Sequence, residues 1–72
     1  MSEREYIARR LTDITEDLRA IEERGWKSDY VMYTLRGTAH EYYLMTNYIF
    51  KDLHEKARSV YMYSVMIDEK LD

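Results

Sequence analysis

The chain contains no cysteine and no proline, and only two of its 72 residues are glycine. The absence of cysteine excludes disulfides and thiolate metal sites as sources of stability. With so few residues that interrupt helices, we expect long helices. A single domain of this size buries only about 60% of the surface that its unfolded chain exposes. Oligomerisation is therefore the means of stabilisation that the composition leaves open.

Long apolar runs are also missing. The longest one, VYMYSVMI at residues 60–67, contains a serine and is far shorter than the roughly 20 residues that cross a bilayer. The opening segment, MSEREYIARR, is charged from residue 3 and shows no apolar region of a secretory signal. We therefore expect a soluble, cytoplasmic protein without membrane contact. The formal net charge of −3 disfavours general affinity for nucleic acid, but it permits a local basic patch.

The first third of the sequence predicts a helix over residues 3–24. Ser2 and Glu5 have the spacing of a capping box at its start, and Gly25 suits the left-handed position after its end. Between them, apolar residues recur at alternating spacings of four and three, as in the seam of a coiled coil. They are Ile7, Leu11, Ile14, Leu18 and Ile21. This narrow seam predicts one buried face on an otherwise charged helix.

The rest of the chain carries a helical period almost to its end. The residues that follow this period are Val31, Leu35, Ala39, Tyr42, Thr46, Ile49, Leu53, Ala57, Val60, Ser64, Ile67 and Leu71. Breaks are possible at Gly37 and at 51–53, since Thr38 with Glu41 and Asp52 with Glu55 repeat the capping-box spacing. We predict an all-α fold, a helical hairpin or three-helix bundle, with helices at 29–50 and 53–71 or one continuous helix. A continuous helix would be about 60 Å long and would need a dimer to cover it.

Strands are the alternative for part of this region. Residues 30–50 and 59–67 are rich in tyrosine, valine and isoleucine, which favour strands, and a hairpin around Arg36 and Gly37 would accommodate the first segment. Against this alternative, Leu44 and Met45 interrupt the alternation of a strand, and the turn residues are weak. The helical interpretation therefore comes first.

Tyrosine and methionine are unusually frequent, with eight and five residues. On a helical wheel of residues 30–67 they widen the apolar arc far beyond what the narrow first helix can cover. Such a helix is usually buried on more than one side, and tyrosine and methionine are enriched at interfaces. The candidate partner-binding residues are Tyr48, Tyr61, Met62, Tyr63 and Met66. The simpler interpretation is that these side chains form the core of a three-helix bundle.

A basic stripe would run along one side of an unbroken second helix. Its candidate anion-binding residues are Arg36, His40, Lys51, His54 and Arg58. They are interleaved with aromatic residues, and this combination can hold phosphates and stack bases. The simpler interpretation is a solvated helix face.

Catalysis and metal binding have little support. There is no nucleophile motif and no glycine-rich phosphate loop. His40 and His54 would be about 21 Å apart on an unbroken helix, too far to share a metal. We expect no enzyme activity, no catalytic residue, no metal and no cofactor. An enzyme built at a dimer interface is the last hypothesis.

The leading hypothesis is a small helical interaction module of the adaptor or inhibitor type. We expect a homodimer, with a different protein as a possible further partner. The alternative is a module that binds a nucleotide or nucleic acid along the basic stripe. These two hypotheses differ in salt dependence, because phosphate binding weakens steeply as salt rises.

Overall fold

The chain folds into a bundle of three helices, and the structure, a computed structural model, describes all of residues 1–72. Helix α1 is Glu3–Arg24, α2 is Asp29–Met45 and α3 is His54–Lys70, with one short 3-10 helix at Lys51–Leu53. The principal extents are 34 × 21 × 17 Å. The all-α prediction is confirmed in its three-helix form. The strand alternative is wrong, because residues 30–45 and 59–67 are helical.

Both ends of α1 form as the sequence predicts. The Ser2 hydroxyl oxygen accepts from the backbone N–H of Glu5 at 3.1 Å, which satisfies a donor of the first turn. At the other end Gly25 adopts φ 82°, and its N–H donates to the Ile21 carbonyl oxygen at 3.0 Å. A residue with a side chain is strained at that φ, which explains the glycine.

The second helical region is broken, so the continuous-helix alternative is wrong. Helix α2 ends at Met45 rather than at residue 50. The chain then reverses over residues 46–50, where Phe50 adopts a left-handed conformation, φ 56° and ψ 48°. This conformation is costly for a bulky residue. The half-buried Phe50 ring packs against the core and holds the backbone there. Gly37, the other possible break, lies inside α2.

Helix α3 begins without the predicted capping box. Its N-cap is Leu53, which makes no side-chain cap, and the preceding turn is the 3-10 helix. Asp52 instead accepts hydrogen bonds from Arg4 at the start of α1. The carboxylate that local sequence assigned to a cap is therefore used for a contact between helices.

The helices run up, down and up, so α1 and α3 are parallel. Three contacts show this direction: Arg4 with Asp52, Thr12 with Lys56 at 2.8 Å, and Glu22 with Tyr63 at 2.6 Å. The pair α2 and α3, antiparallel across the turn, has the most extensive contact. Each helix consequently keeps one outer face directed away from both neighbours.

The core follows the predicted period with two exceptions. All five residues of the α1 seam are at most 3% exposed. The other buried apolar residues are Met32, Leu35, Ala39, Leu53, Ala57, Val60 and Ile67. Val31 and Ile49, both expected in the core, are 42% and 47% exposed. Met32 is buried in place of Val31, and Ile49 lies in the turn, beyond the end of the helix.

Candidate functional site

The outer face of α2 carries two highly exposed aromatic side chains. This α2 outer face consists of Tyr30, Tyr33, Gly37, Glu41 and Leu44, which recur at spacings of three and four residues. Tyr30 is 79% exposed, Tyr33 is 80% exposed and Leu44 is 52% exposed. Large apolar surface is thus presented to solvent along the length of α2.

Tyr48 extends this face by one more turn. Its N–H donates to the Met45 carbonyl oxygen at 3.0 Å, so the backbone keeps a helical turn just beyond α2. Tyr48 is 81% exposed and, with Leu44, lines a small pocket of about 180 Å³. The polar wall of the pocket is formed by Asn47 and His54. The exposed apolar surface therefore continues from α2 onto the turn.

The bundle is complete without these side chains. Its core is a closed cluster of twelve buried apolar residues, and every buried side-chain nitrogen and oxygen atom has a hydrogen-bond partner. Single exposed apolar residues are normal on protein surfaces, whereas contiguous ones mark interaction sites. The α2 outer face is therefore the first candidate for a binding surface.

Gly37 lies in the middle of this face, and the fold within one chain does not require it. A methyl group added at Gly37 would meet no atom within 4 Å, and its φ is not in the left-handed region. A glycine in an exposed helix interior costs about 1 kcal/mol relative to alanine. Gly37 thus leaves the α2 backbone open to solvent between the aromatic residues on either side.

A stack of aromatic rings joins α2 to α3 beside this face. The Tyr61 ring centroid lies 4.9 Å from that of His40 and 5.8 Å from that of Tyr43. The Tyr43 ring in turn stacks on His54 at 5.0 Å. At the end of the stack, the His54 Nδ1 atom lies 3.1 Å from the hydroxyl of the buried Thr46. The rings therefore fix the α2–α3 pair, with the two histidines at opposite ends.

A charged cluster closes the opposite end of the α2–α3 pair. The Asp68 carboxylate accepts from Lys27 Nζ at 2.5 Å and from Arg36 Nη1 at 2.7 Å. The hydrogen bond from Lys27 holds the pKa of the Asp68 carboxyl below its ordinary value; partial burial opposes the shift, and the bond from Arg36 adds to it. Both cations are therefore already paired within the chain.

An open groove of about 920 Å³ lies next to this charged cluster. Lys27 and Arg36 are the only cationic residues among its lining side chains, and four carboxylates accompany them. These carboxylates belong to Asp29, Glu41, Asp68 and Asp72. An excess of negative charge opposes the binding of phosphate in this groove.

The predicted partner-binding residues divide into three groups, and Tyr48 alone lies in the turn beyond α2, beside the α2 outer face. Tyr61 and Tyr63 are half-buried against the core, and the Tyr63 hydroxyl donates to Glu22 at 2.6 Å. That bond lowers the pKa of the Glu22 carboxyl and raises the pKa of the Tyr63 phenol. Met62 and Met66 are 53% and 47% exposed on the outer face of α3. They lie one helical turn apart, away from the α2 outer face.

The predicted basic stripe is divided between two antiparallel helices. Arg36 and His40 lie on α2, whereas His54 and Arg58 lie on α3, and Lys51 is in the connecting 3-10 helix. The reversal of the chain places His40 and His54 in the same aromatic stack instead of about 21 Å apart along one helix. Lys51 and Arg58 remain exposed, whereas Arg36 is paired with Asp68.

Sequence reasoning gave less weight to Tyr30, Tyr33 and Leu44 than the structure does. The signal was present, because Tyr33 and Leu44 fall nearly opposite the seam on the helical wheel, and Tyr30 lies well away from it. Which aromatic side chains stay outside depends on how three helices meet. That arrangement does not follow from the period of a single helix.

No group of three or more histidine, aspartate or glutamate side chains is arranged to hold a metal ion. No helix has both the length and the apolar character needed to span a bilayer. No protein-family model, curated protein or solved structure matches the chain. The function of the chain is therefore inferred from the surfaces of the bundle.

Proposed function

We propose that this chain is a small helical interaction module, of the adaptor or inhibitor type, that binds another macromolecule through apolar side chains on its helix faces. A cytoplasmic location is part of the proposal. The observation that carries it is the combination of a complete core with tyrosines that are about 80% exposed at three positions, namely Tyr30, Tyr33 and Tyr48.

Two surfaces are available for this role. The α2 outer face provides aromatic area, with hydroxyl groups for the wet edge of an interface. The outer face of α3 provides Met62 and Met66, whose flexible side chains adapt to a partner. Because the two faces belong to different helices of the bundle, one module has room for two contacts at once.

A capture experiment with matched variants tests the proposal. The immobilised chain would be compared with Tyr30→Ser/Tyr33→Ser, with Met62→Gln/Met66→Gln and with Tyr6→Ser, an exposed tyrosine of α1. Proteins that bind the wild type would be identified by mass spectrometry and titrated in purified form. We expect binding that weakens at least about tenfold in one of the first two variants, as loss of a hot spot does, and is unchanged in Tyr6→Ser.

The interaction hypothesis is wrong if binding to either face is not found. This outcome means that neither a different protein nor a second copy of the chain binds in a way that depends on either face. Far-UV circular dichroism of each variant shows whether the bundle is intact. All five substituted side chains are about half exposed or more, so we expect the variants to fold.

The nucleic-acid alternative makes a different prediction. Binding would weaken steeply with salt and would be lost in Arg36→Ala/Arg58→Ala. A phosphate at Arg36 would have to bind beside the carboxylate of Asp68, which already pairs with this guanidinium. Titration of a labelled oligonucleotide at two salt concentrations distinguishes this alternative from apolar binding.

A further inference from the structure

The residues of the α2 outer face are arranged symmetrically about Gly37. Tyr33 and Glu41 stand four residues before and after it, and Tyr30 and Leu44 stand seven residues before and after it. A two-fold axis through Gly37 would therefore place an antiparallel second copy in register. Tyr30 would then face Leu44 of that copy, and Tyr33 would face Glu41.

We propose that the α2 outer face binds a second copy of this chain, as an antiparallel two-fold dimer centred on Gly37. The inference depends on the proposed function, since it names the partner of one of the two proposed interaction faces. It leaves Met62 and Met66, on the outer face of α3, free for a different protein.

The chemistry of the facing residues is self-complementary. Tyr30 would bring a ring against the half-exposed Leu44 side chain, and the Tyr33 hydroxyl would donate to the Glu41 carboxylate. Glu41 takes part in none of the ion pairs of the bundle, so its carboxylate is free to accept. The two symmetry-related Glu41 residues would be separated by about 12 Å along the helix direction, eight residues at 1.5 Å each, so these two carboxylates do not meet.

Gly37 leaves room for a second α2 helix to approach. No atom of the chain lies within 4 Å of the position that a side chain would occupy there. In the dimer, this open position would lie between the two α2 helices, whose axes would pack about 8 to 10 Å apart. The fold of one chain does not explain this glycine, whereas a contact between two α2 helices does.

The available area is sufficient for a modest dimer. Three tyrosines about 80% exposed, at roughly 200 Å² each, present on the order of 500 Å² per copy. Leu44 and the helix backbone add to this area, whereas a standard interface uses about 800 Å² per partner. Tyr48, one turn beyond Leu44, would lie at the edge of this contact. We expect a reversible dimer.

Sedimentation equilibrium and cysteine cross-linking test the proposal together. The wild type would be examined from about 1 µM to about 1 mM, the range in which small interfaces dissociate. Because the chain has no cysteine, Gly37→Cys and Thr34→Cys each introduce a single thiol. Both positions are exposed on α2, so a collision between free monomers would oxidise them at similar rates.

The two-fold arrangement predicts different rates of disulfide formation for the two cysteine variants. Residue 37 faces itself across the two-fold axis, whereas the two copies of residue 34 are offset by about 9 Å along the helix direction, six residues at 1.5 Å each. A disulfide needs Cα atoms within about 7 Å. We expect Gly37→Cys to form a covalent dimer at least about tenfold faster than Thr34→Cys, as an effective concentration in the millimolar range implies.

A charge exchange gives an independent result. Gly37→Glu and Gly37→Lys each place like charges across the axis, and both raise the helix propensity of α2. Each variant alone should dimerise at least about tenfold more weakly than the wild type, and an equimolar mixture should form a heterodimer. Recovery of dimerisation in the mixture requires residue 37 of one copy to face residue 37 of the other. A change in the folding of each chain alone would not produce it.

The outcomes separate this inference from the proposed function. A wild type that stays monomeric, or thiols that react equally fast at positions 34 and 37, overturns the dimer. If a different protein still binds the chain and is lost with Tyr30→Ser/Tyr33→Ser, the interaction function stands with another occupant of the face. If neither the dimer nor face-dependent capture is found, both proposals fail.

Discussion

The Nζ atom of Lys27 lies 2.5 Å from the Oδ1 atom of Asp68, and this contact ties the segment before α2 to the last turn of α3. The Lys27 side chain is only 8% exposed, so its ammonium group has lost most of its contact with water. Protein oxygens replace that water: the Asp68 carboxylate, the Asp68 carbonyl oxygen at 2.8 Å and Asp72 Oδ1 at 3.3 Å. The cluster therefore closes one end of the bundle.

Replacement of Asp68 by asparagine is expected to destabilise the fold. The substitution keeps the shape of the side chain but removes the charge that accepts from Lys27 and Arg36. Hydrogen bonds to charged groups support a loss of about 1.5 kcal/mol in the free energy of unfolding. Urea unfolding followed by circular dichroism measures it. Asp17→Asn, at an exposed position of α1, is the control and should change stability little.

The same carboxylate predicts a loss of stability in acid. The folded chain holds the pKa of the Asp68 carboxyl below 3.8, its ordinary value, so the unfolded chain takes up this proton first as the pH falls. The contribution of the Asp68 charge to the free energy of unfolding is complete well above pH 3.8. It is lost as the pH falls through the pKa of the folded chain.

Urea midpoints of the wild type and Asp68→Asn, measured from about pH 7 down to about pH 2, test this linkage. The difference in urea midpoint between the two proteins should be constant near neutrality and should shrink in acid. A difference that stays the same in acid would show that Asp68 stabilises the bundle without its charge.

At position 50 we expect glycine to give a more stable chain than alanine, which is the reverse of their usual order. Its φ of 56° strains any side chain, and its ring is half-buried against the core. Phe50→Ala loses the packing and keeps the strain, whereas Phe50→Gly loses the packing and relieves the strain. The glycine variant should be more stable by about 1 kcal/mol in urea unfolding. If the alanine variant is the more stable, the turn does not have this conformation in solution.

The two glycines should respond oppositely to alanine. Gly37→Ala should stabilise the chain by about 0.5 to 1 kcal/mol, because its position is helical, exposed and free of neighbours. Gly25→Ala should destabilise it by about 1 kcal/mol, because its φ is 82°. Thermal unfolding at low micromolar concentration separates these effects from self-association. Equal changes at both sites would contradict the structure of the α1–α2 turn.

Helix α1 was predictable because its information is local. Ser2 and Gly25 act through neighbours at most four residues away, and the five seam residues follow the period of this one helix. The end of α2 was not predictable in the same way. No glycine or proline marks it, and the left-handed residue is Phe50, which only a tertiary contact holds in place.

The candidate site depends on the same distant contacts. Met32 lies in the core and Val31 outside it because α2 must meet both other helices at once. The packing of α2 on its two neighbours thereby determines which tyrosines stay in solvent. A helical period gives the direction of each side chain, but it does not show which directions are covered.

The unequal exposure of the methionines makes the chain sensitive to oxidants in a position-dependent way. Met32 is 1% exposed, whereas Met62 is 53% exposed, and a thioether forms a sulfoxide readily only where the oxidant reaches it. In dilute peroxide Met62 will therefore react in the folded chain, and Met32 will react only when the bundle opens. Peptide mass spectrometry gives the ratio of sulfoxide at these two positions. This ratio measures how often the native state opens, and the measurement needs no added label.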